Sequence, residues 1–141
     1  MQQNRLFLAP LKKENIKRVL DVGTGTGIWA IDFAEEFPDA QVIGTDISAI
    51  QPTSVPYNLA WLIDDCETSD WDYGFSFDYV HIRTLFGSIK DWPALYEKAY
   101  RFVIFCDYQA FLAHCYVEPC SQEDGLNTLK FRLKFSLTII P

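Results

Sequence analysis

Short apolar runs alternate with amphipathic stretches along most of the chain, at periods that separate strands from helices. Val19, Leu20 and Val22 form a compact apolar run, the pattern of a buried strand. Gly23, Gly25 and Gly27 follow at alternate positions, and residues 28–37 read as a helix closed by Pro38. Its apolar stripe is Ala30, Ile31, Ala34 and Phe37, with Asp32, Glu35 and Glu36 largely off it. Residues 41–45 read as a second strand with Asp46 at its end. Pro52 and Pro56 make 48–56 a loop or at most one helical turn. Leu59–Ile63 is a third strand, running into Asp64, Asp65, Cys66 and Glu67. Trp71, Tyr73, Phe75 and Phe77 lead, as expected core residues, into a fourth strand over 77–82, which closes on His81, Ile82 and Arg83.

Asp91 then offers an N-cap for a helix with Pro93 in its first turn. Trp92, Leu95, Tyr96, Ala99 and Phe102 recur at helical spacing, which makes this a crossover helix returning to the sheet. Beyond Arg101 the pattern changes. Residues 102–106 and 110–117 have strand character, but no glycine turn separates them from the helix. Residues 129–139 alternate strictly, apolar on one face and basic or hydroxylic on the other. That is a half-buried strand or an exposed edge, open to its own sheet or to a protein partner. Its period of two disfavours a basic membrane-surface helix.

Strand, glycine loop, helix, strand is the order of a parallel Rossmann-like α/β unit, in which the loop brings backbone close to a nucleoside-bearing ligand. A side chain would block that approach, and such turns often need a positive φ. The spacing narrows the ligand. A dinucleotide fingerprint G-x-G-x-x-G begun at Gly23 would need its third glycine at Ile28, so a nicotinamide-dependent oxidoreductase is disfavoured. Asp46 lies 19 positions after Gly27, close to the ~20-residue offset at which an acid meets ribose hydroxyls. A helix N-cap or a turn acid is the alternative for Asp46. Asp64 and Asp65 follow the third strand, either as solvated loop acids or beside the ligand crevice, where a carboxylate accepts from an adenine amino group. His81 and Arg83 occupy a carboxyl strand end, where substrates bind in open α/β sheets; an exposed strand end is the plain alternative.

The 141 residues suit one domain with a real core. A net charge of −7 argues against nucleic acid as a partner, since a basic surface is the usual footprint for it. No apolar run reaches the ~20 residues that span a bilayer, so no membrane partner is expected. Cys66, Cys106, Cys115 and Cys120 include no C-x-x-C pair, and His114, Cys115 and Cys120 fit no common zinc spacing. No metal is expected, and the thiols point to a reducing compartment, cytoplasm or nucleus.

Several segments, in order and at matching intervals, carry a resemblance. They are 6–10 (LFLAP), 18–34, 42–46 (VIGTD), Gln51 with Pro52, 63–67 (IDDCE), 77–83 (FDYVHIR) and 87–96 (GSIKDWPALY). Over roughly residues 6–101 the chain resembles fungal class I S-adenosylmethionine-dependent methyltransferases similar to the velvet-associated regulator of secondary metabolism. The resemblance implies a parallel sheet of order 3-2-1-4 and S-adenosyl-L-methionine as cofactor. It implies that Gly23, Gly25 and Gly27, headed by Asp21, surround the cofactor's amino-acid and ribose portions. Asp46 would be the ribose-binding acid, Ile47 would flank the adenine, and Asp65 would meet the adenine amino group with Asp64 and Cys66 beside it. His81 and Arg83 would stand next to the reacting methyl. The acceptor, a small molecule or a protein, is not specified.

Family members follow the crossover helix with a lysine-proline-glycine-glycine turn and a fifth strand, whereas here Arg101 runs straight into Phe102, Val103 and Ile104. The expectation is therefore a lead-in at 1–17, a cofactor-binding core at 18–103 and a divergent tail at 104–141, with the sheet incomplete after its fourth strand. That describes a truncated or aberrantly spliced member. It is either an active methyltransferase or a catalytically inactive cofactor-binding or interaction fragment.

Overall fold

The structure is a computed structural model that describes residues 6–7, 11–110, 113–116 and 134–136. A single 3-10 turn at Lys13–Asn15 leads into β1 (Arg18–Val22), of which only Arg18 is exposed. Then come α1 (Ile28–Glu36), β2 (Gln41–Asp46), β3 (Leu59–Ile63), β4 (Phe77–Arg83) and α2 (Trp92–Phe102). β5 (Val103–Ala110), β6 (Ala113–Tyr116) and β7 (Lys134–Ser136) complete the described elements. All seven strands form one sheet in the order β3-β2-β1-β4-β5-β6-β7.

The parallel order 3-2-1-4 read from the sequence is the observed one. The expected break after the fourth strand is corrected. β5 pairs parallel with β4 from Phe77↔Val103 to Arg83↔Gln109, and β6 and β7 add two antiparallel strands. No glycine turn is needed, because α2 ends at Phe102 and the strand begins at the next residue. Val103 and Ile104 are β-branched and favour the extended backbone. The division read at 103/104 falls inside this strand. Of the alternating stretch 129–139, only Lys134–Ser136 lies within the described residues.

Strand alternation divides the core. Val19, Val42, Leu59 and Tyr79 face α1, where Ala30, Phe33, Ala34 and Phe37 meet them. Leu20, Val22, Val80 and Ile82 face Leu95 and Ala99 of α2, and Phe77, at the start of β4, and Trp71 pack into the same cluster. The Asn58 side chain closes α1 by donating to the carbonyls of Ala34, Phe37 and Ala40 at 3.0, 3.1 and 2.8 Å. β3 is an outer strand of the sheet, with Ala60, Leu62 and Ile63 exposed. Among the described residues no helix is long and apolar enough to cross a membrane.

Candidate functional site

β1 and β4 run in register with Asp21 opposite His81. By alternation both side chains leave the sheet on the α1 side, at its carboxyl edge, and both are buried. Burial drives both toward their neutral forms. It raises Asp21 to about 7, against the lowering effect of the Thr24 hydroxyl and with a further push from the Asp46 charge. Burial, followed by the Arg83 charge, lowers His81 to about 3. The His81 ring lies on the Trp29 indole, with centroids 3.7 Å apart and planes 5° from parallel. Its Nδ1 is 3.5 Å from the Tyr79 hydroxyl, and its buried Nε2 has no hydrogen-bond partner among the described residues.

The glycine loop is tied at four points. The Thr24 hydroxyl donates to Asp21 Oδ2 at 2.5 Å, and the Thr24 N–H donates to the Thr45 carbonyl at 2.8 Å. Gly25 N–H donates to Asp46 Oδ2 at 2.8 Å, while Gln51 Nε2 donates to the Gly25 carbonyl at 2.7 Å. Asp46 Oδ1 accepts from Ser48 N–H at 2.9 Å, so this carboxylate is both a turn acid and a brace for the loop. The three glycines, all at positive φ, differ in what surrounds them. A Cβ on Gly23 would strike Leu85, and one on Gly27 would strike the Trp61 ring. At Gly25 (φ +58) the same space is open, with no atom within 4 Å.

Beside the loop lies a cavity of about 340 Å³ lined by Asp21, Gly23, Thr24, His81, Arg83 and Thr84, with Leu6, Ile28, Trp29 and Asp32. The structure thus brings Asp21, Gly23, His81 and Arg83 to one space. Asp46, Ile47, Asp64, Asp65 and Cys66 stand outside it, at the neighbouring ends of β2 and β3. The Asp64 N–H donates to the Asp46 carbonyl at 2.9 Å, which joins the two ends. Ile47 is 71% exposed. Asp64 Oδ2 accepts from the Tyr73 hydroxyl at 3.0 Å, and burial, then Asp64, push that phenol up. Asp65 is exposed, and its Oδ1 accepts from Glu67 N–H at 2.9 Å, which holds its carboxyl below the usual range. The half-buried Cys66 thiol is free and is pushed up to about 11 by burial, a protonated packing group.

Sequence reasoning missed Trp29, which looks like any aromatic on a helix. Here it donates to the Leu6 carbonyl at 2.7 Å, drawing the N-terminal segment to the cavity wall. It also missed Trp61, whose ring fills the space at both Gly27 and Gly44. No signal of spacing marks either role.

A family model described as "Methyltransferase domain" matches residues 1–119. The chain is 46% identical over 98 residues to the methyltransferase pytC of Aspergillus terreus, which covers 69% of this chain and 30% of that protein. It is 42% identical over 102 residues to the secondary metabolism regulator LAE1 of Cochliobolus heterostrophus, covering 70% of this chain and 33% of the relative. The chain therefore spans about a third of the length of these fungal relatives. Among solved structures, its fold is similar to coclaurine N-methyltransferase bound to N-methylheliamine and SAH. The TM-score is 0.59 at 18% identity, over 72% of this chain and 32% of the other. PKMT2 from Rickettsia typhi in complex with AdoHcy gives a TM-score of 0.56 at 22% identity, over 73% of this chain and 22% of that one.

Proposed function

The chain belongs to the methyltransferase-domain family, and from that premise we propose that it binds S-adenosylmethionine at the carboxyl edge of β1, β2 and β3. Methyl transfer to a small-molecule or protein acceptor follows from the same reading. The observation that carries it is Gly25. Its left-handed backbone is braced by Asp46 and Gln51, and no atom lies within 4 Å of where its side chain would begin, next in sequence to Gly23 and Thr24, which line the cavity. A cradle of this kind fits a ligand that needs close backbone approach.

Within this reading, Asp21 and the Gly23–Thr24 backbone receive the amino-acid end of the cofactor. Asp46 receives the ribose, and Ile47, Asp64 and Asp65 receive the adenine. When bound, the cofactor supplies a methyl group on an already activated sulfonium, so orientation carries much of the acceleration. His81 is neutral at physiological pH and is a poor proton acceptor at about 3, so its contribution is to orient the acceptor alongside Arg83. We assign the chain to the cytoplasm or nucleus, a reading supported by the free Cys66 thiol.

Calorimetry with S-adenosylmethionine, S-adenosylhomocysteine and NAD tests the proposal. Binding of the first two and not of NAD is expected. Binding of NAD alone, or of none, overturns it. Binding without turnover on any acceptor would restrict the chain to a cofactor-binding unit.

A further inference from the structure

The turn that follows β3 is held from below by a single side chain. The carbonyls of residues 66, 67 and 69 point the same way, and Lys98 of α2 gathers all three. Its Nζ donates to Cys66 O at 2.9 Å, Glu67 O at 3.0 Å and Ser69 O at 2.6 Å. An ammonium has three hydrogens in a tetrahedral spread, so the three acceptors use its full donor capacity. The charge also lies 5.9 Å from the centroid of the buried Trp71 ring. The same turn is tied to the segment that leads into α2, because Glu67 Oε1 accepts from the N–H groups of Lys90 and Asp91 at 2.8 and 3.2 Å.

Asp65 heads this turn. Its carbonyl accepts from the Thr68 and Ser69 N–H groups at 3.2 and 2.9 Å, and its Oδ1 from Glu67 N–H. The direction of its carboxylate is therefore set by the residues whose carbonyls Lys98 holds. We infer that Lys98 is a positioning residue for Asp65, fixing from α2 the turn on which Asp65 meets the cofactor's adenine amino group. The inference rests on the proposed S-adenosylmethionine site, and it makes base specificity depend on a helix that does not line the cavity beside the glycine loop. A tethered carboxylate discriminates an amino donor from a keto acceptor; a carboxylate on a loose turn turns aside from either at little cost.

The test compares S-adenosylhomocysteine with S-inosylhomocysteine, in which a keto oxygen replaces the adenine amino group. Calorimetry on the wild-type chain is expected to show a preference of about tenfold or more for the adenine compound, since one hydrogen bond to a charged group is lost and a like pair of acceptors faces each other. Lys98→Met keeps the stem and removes the three donors, so the preference is expected to fall to about twofold. A merely structural loss would weaken both ligands together and leave their ratio unchanged. That unchanged ratio, or wild-type affinities for both, overturns the inference. Should Lys98→Met not fold by circular dichroism, Lys98→Leu replaces it, again with no donor, and the ratio is read in the same way. A wild-type chain that binds neither ligand defeats the cofactor reading itself, a distinct result.

Discussion

Asp46 accepts the Gly25 N–H at 2.8 Å across the gap between β2 and the glycine loop, and its other oxygen accepts Ser48 N–H at 2.9 Å. One carboxylate thereby sets the loop that approaches the ligand and the first turn after β2. Losing it has a cost before any ligand arrives.

Asp46→Ala is expected to lower unfolding free energy by about 1–3 kcal/mol, the range for losing hydrogen bonds to a charged, partly exposed acceptor. Urea denaturation checks this. Affinity for S-adenosylhomocysteine is expected to fall as well, about tenfold, and unchanged affinity would leave Asp46 as a brace alone.

Gly25→Ala and Gly27→Ala are expected to separate binding from stability. At Gly27 a methyl group meets the Trp61 ring, and overpacking plus the positive φ costs about 2–4 kcal/mol. At Gly25 nothing is struck, so only the backbone penalty of about 1–2 kcal/mol applies. Cofactor affinity, however, should drop more than about tenfold, because the methyl projects into the proposed cradle. Thermal melts and calorimetry on the two variants would distinguish the cases.

Asp21 and His81 pull stability in opposite directions with pH. Asp21 holds its proton up to about 7 when folded and to 3.8 when unfolded, so its contribution is full below 3.8 and is lost as pH rises through 7. His81 is neutral down to about 3 when folded and to 6.5 when unfolded, so its contribution is full above 6.5 and is lost as pH falls toward 3. Between 3.8 and 6.5 the two slopes oppose each other, each at most about 1.4 kcal/mol per pH unit. Asp21→Asn should unmask the His81 slope, with stability rising from pH 4 to 6.5. A flat profile in that variant would contradict the assignment.

Trp29→Ala is expected to lower stability by about 3 kcal/mol through lost packing and to release the Leu6 carbonyl. With its stacking partner gone, His81 gains water and its titration should move up toward 6.5. Proton NMR of the imidazole would show the shift, and an unmoved resonance would mean that Trp29 is not what shields it.

The sheet and its order were legible because the signals are local. Val19, Leu20 and Val22 are an apolar run, the glycines punctuate it, and Asp91 does cap α2, with Oδ1 accepting Ala94 N–H at 3.0 Å. The continuation into β5 was not legible, because a helix that passes into a strand between Phe102 and Val103 leaves no turn residue to read. The candidate site was readable as a set of residue types but not as a geometry. Spacing points to Asp46, Asp64 and Asp65; it does not say that Gly25 is braced by Asp46, or that Asp21 and His81 share one cavity. Trp29, Trp61 and Lys98 act through neighbours distant in sequence, where a one-dimensional pattern carries no trace.

The outer position of β3 has a consequence for the protein's solution behaviour. Leu62 and Ile63 are exposed on a strand with an open flank in the described sheet, a template on which a second chain can add a strand. Directly after it come Asp64, Asp65, Glu67 and Asp70, a block of negative charge at the carboxyl end of that edge. The acids proposed to receive the adenine therefore also stand where charge disfavours the addition of a like strand in parallel. Exchanging them for asparagine would remove the proposed ligand contact and, at the same time, the negative charge from that end of the edge.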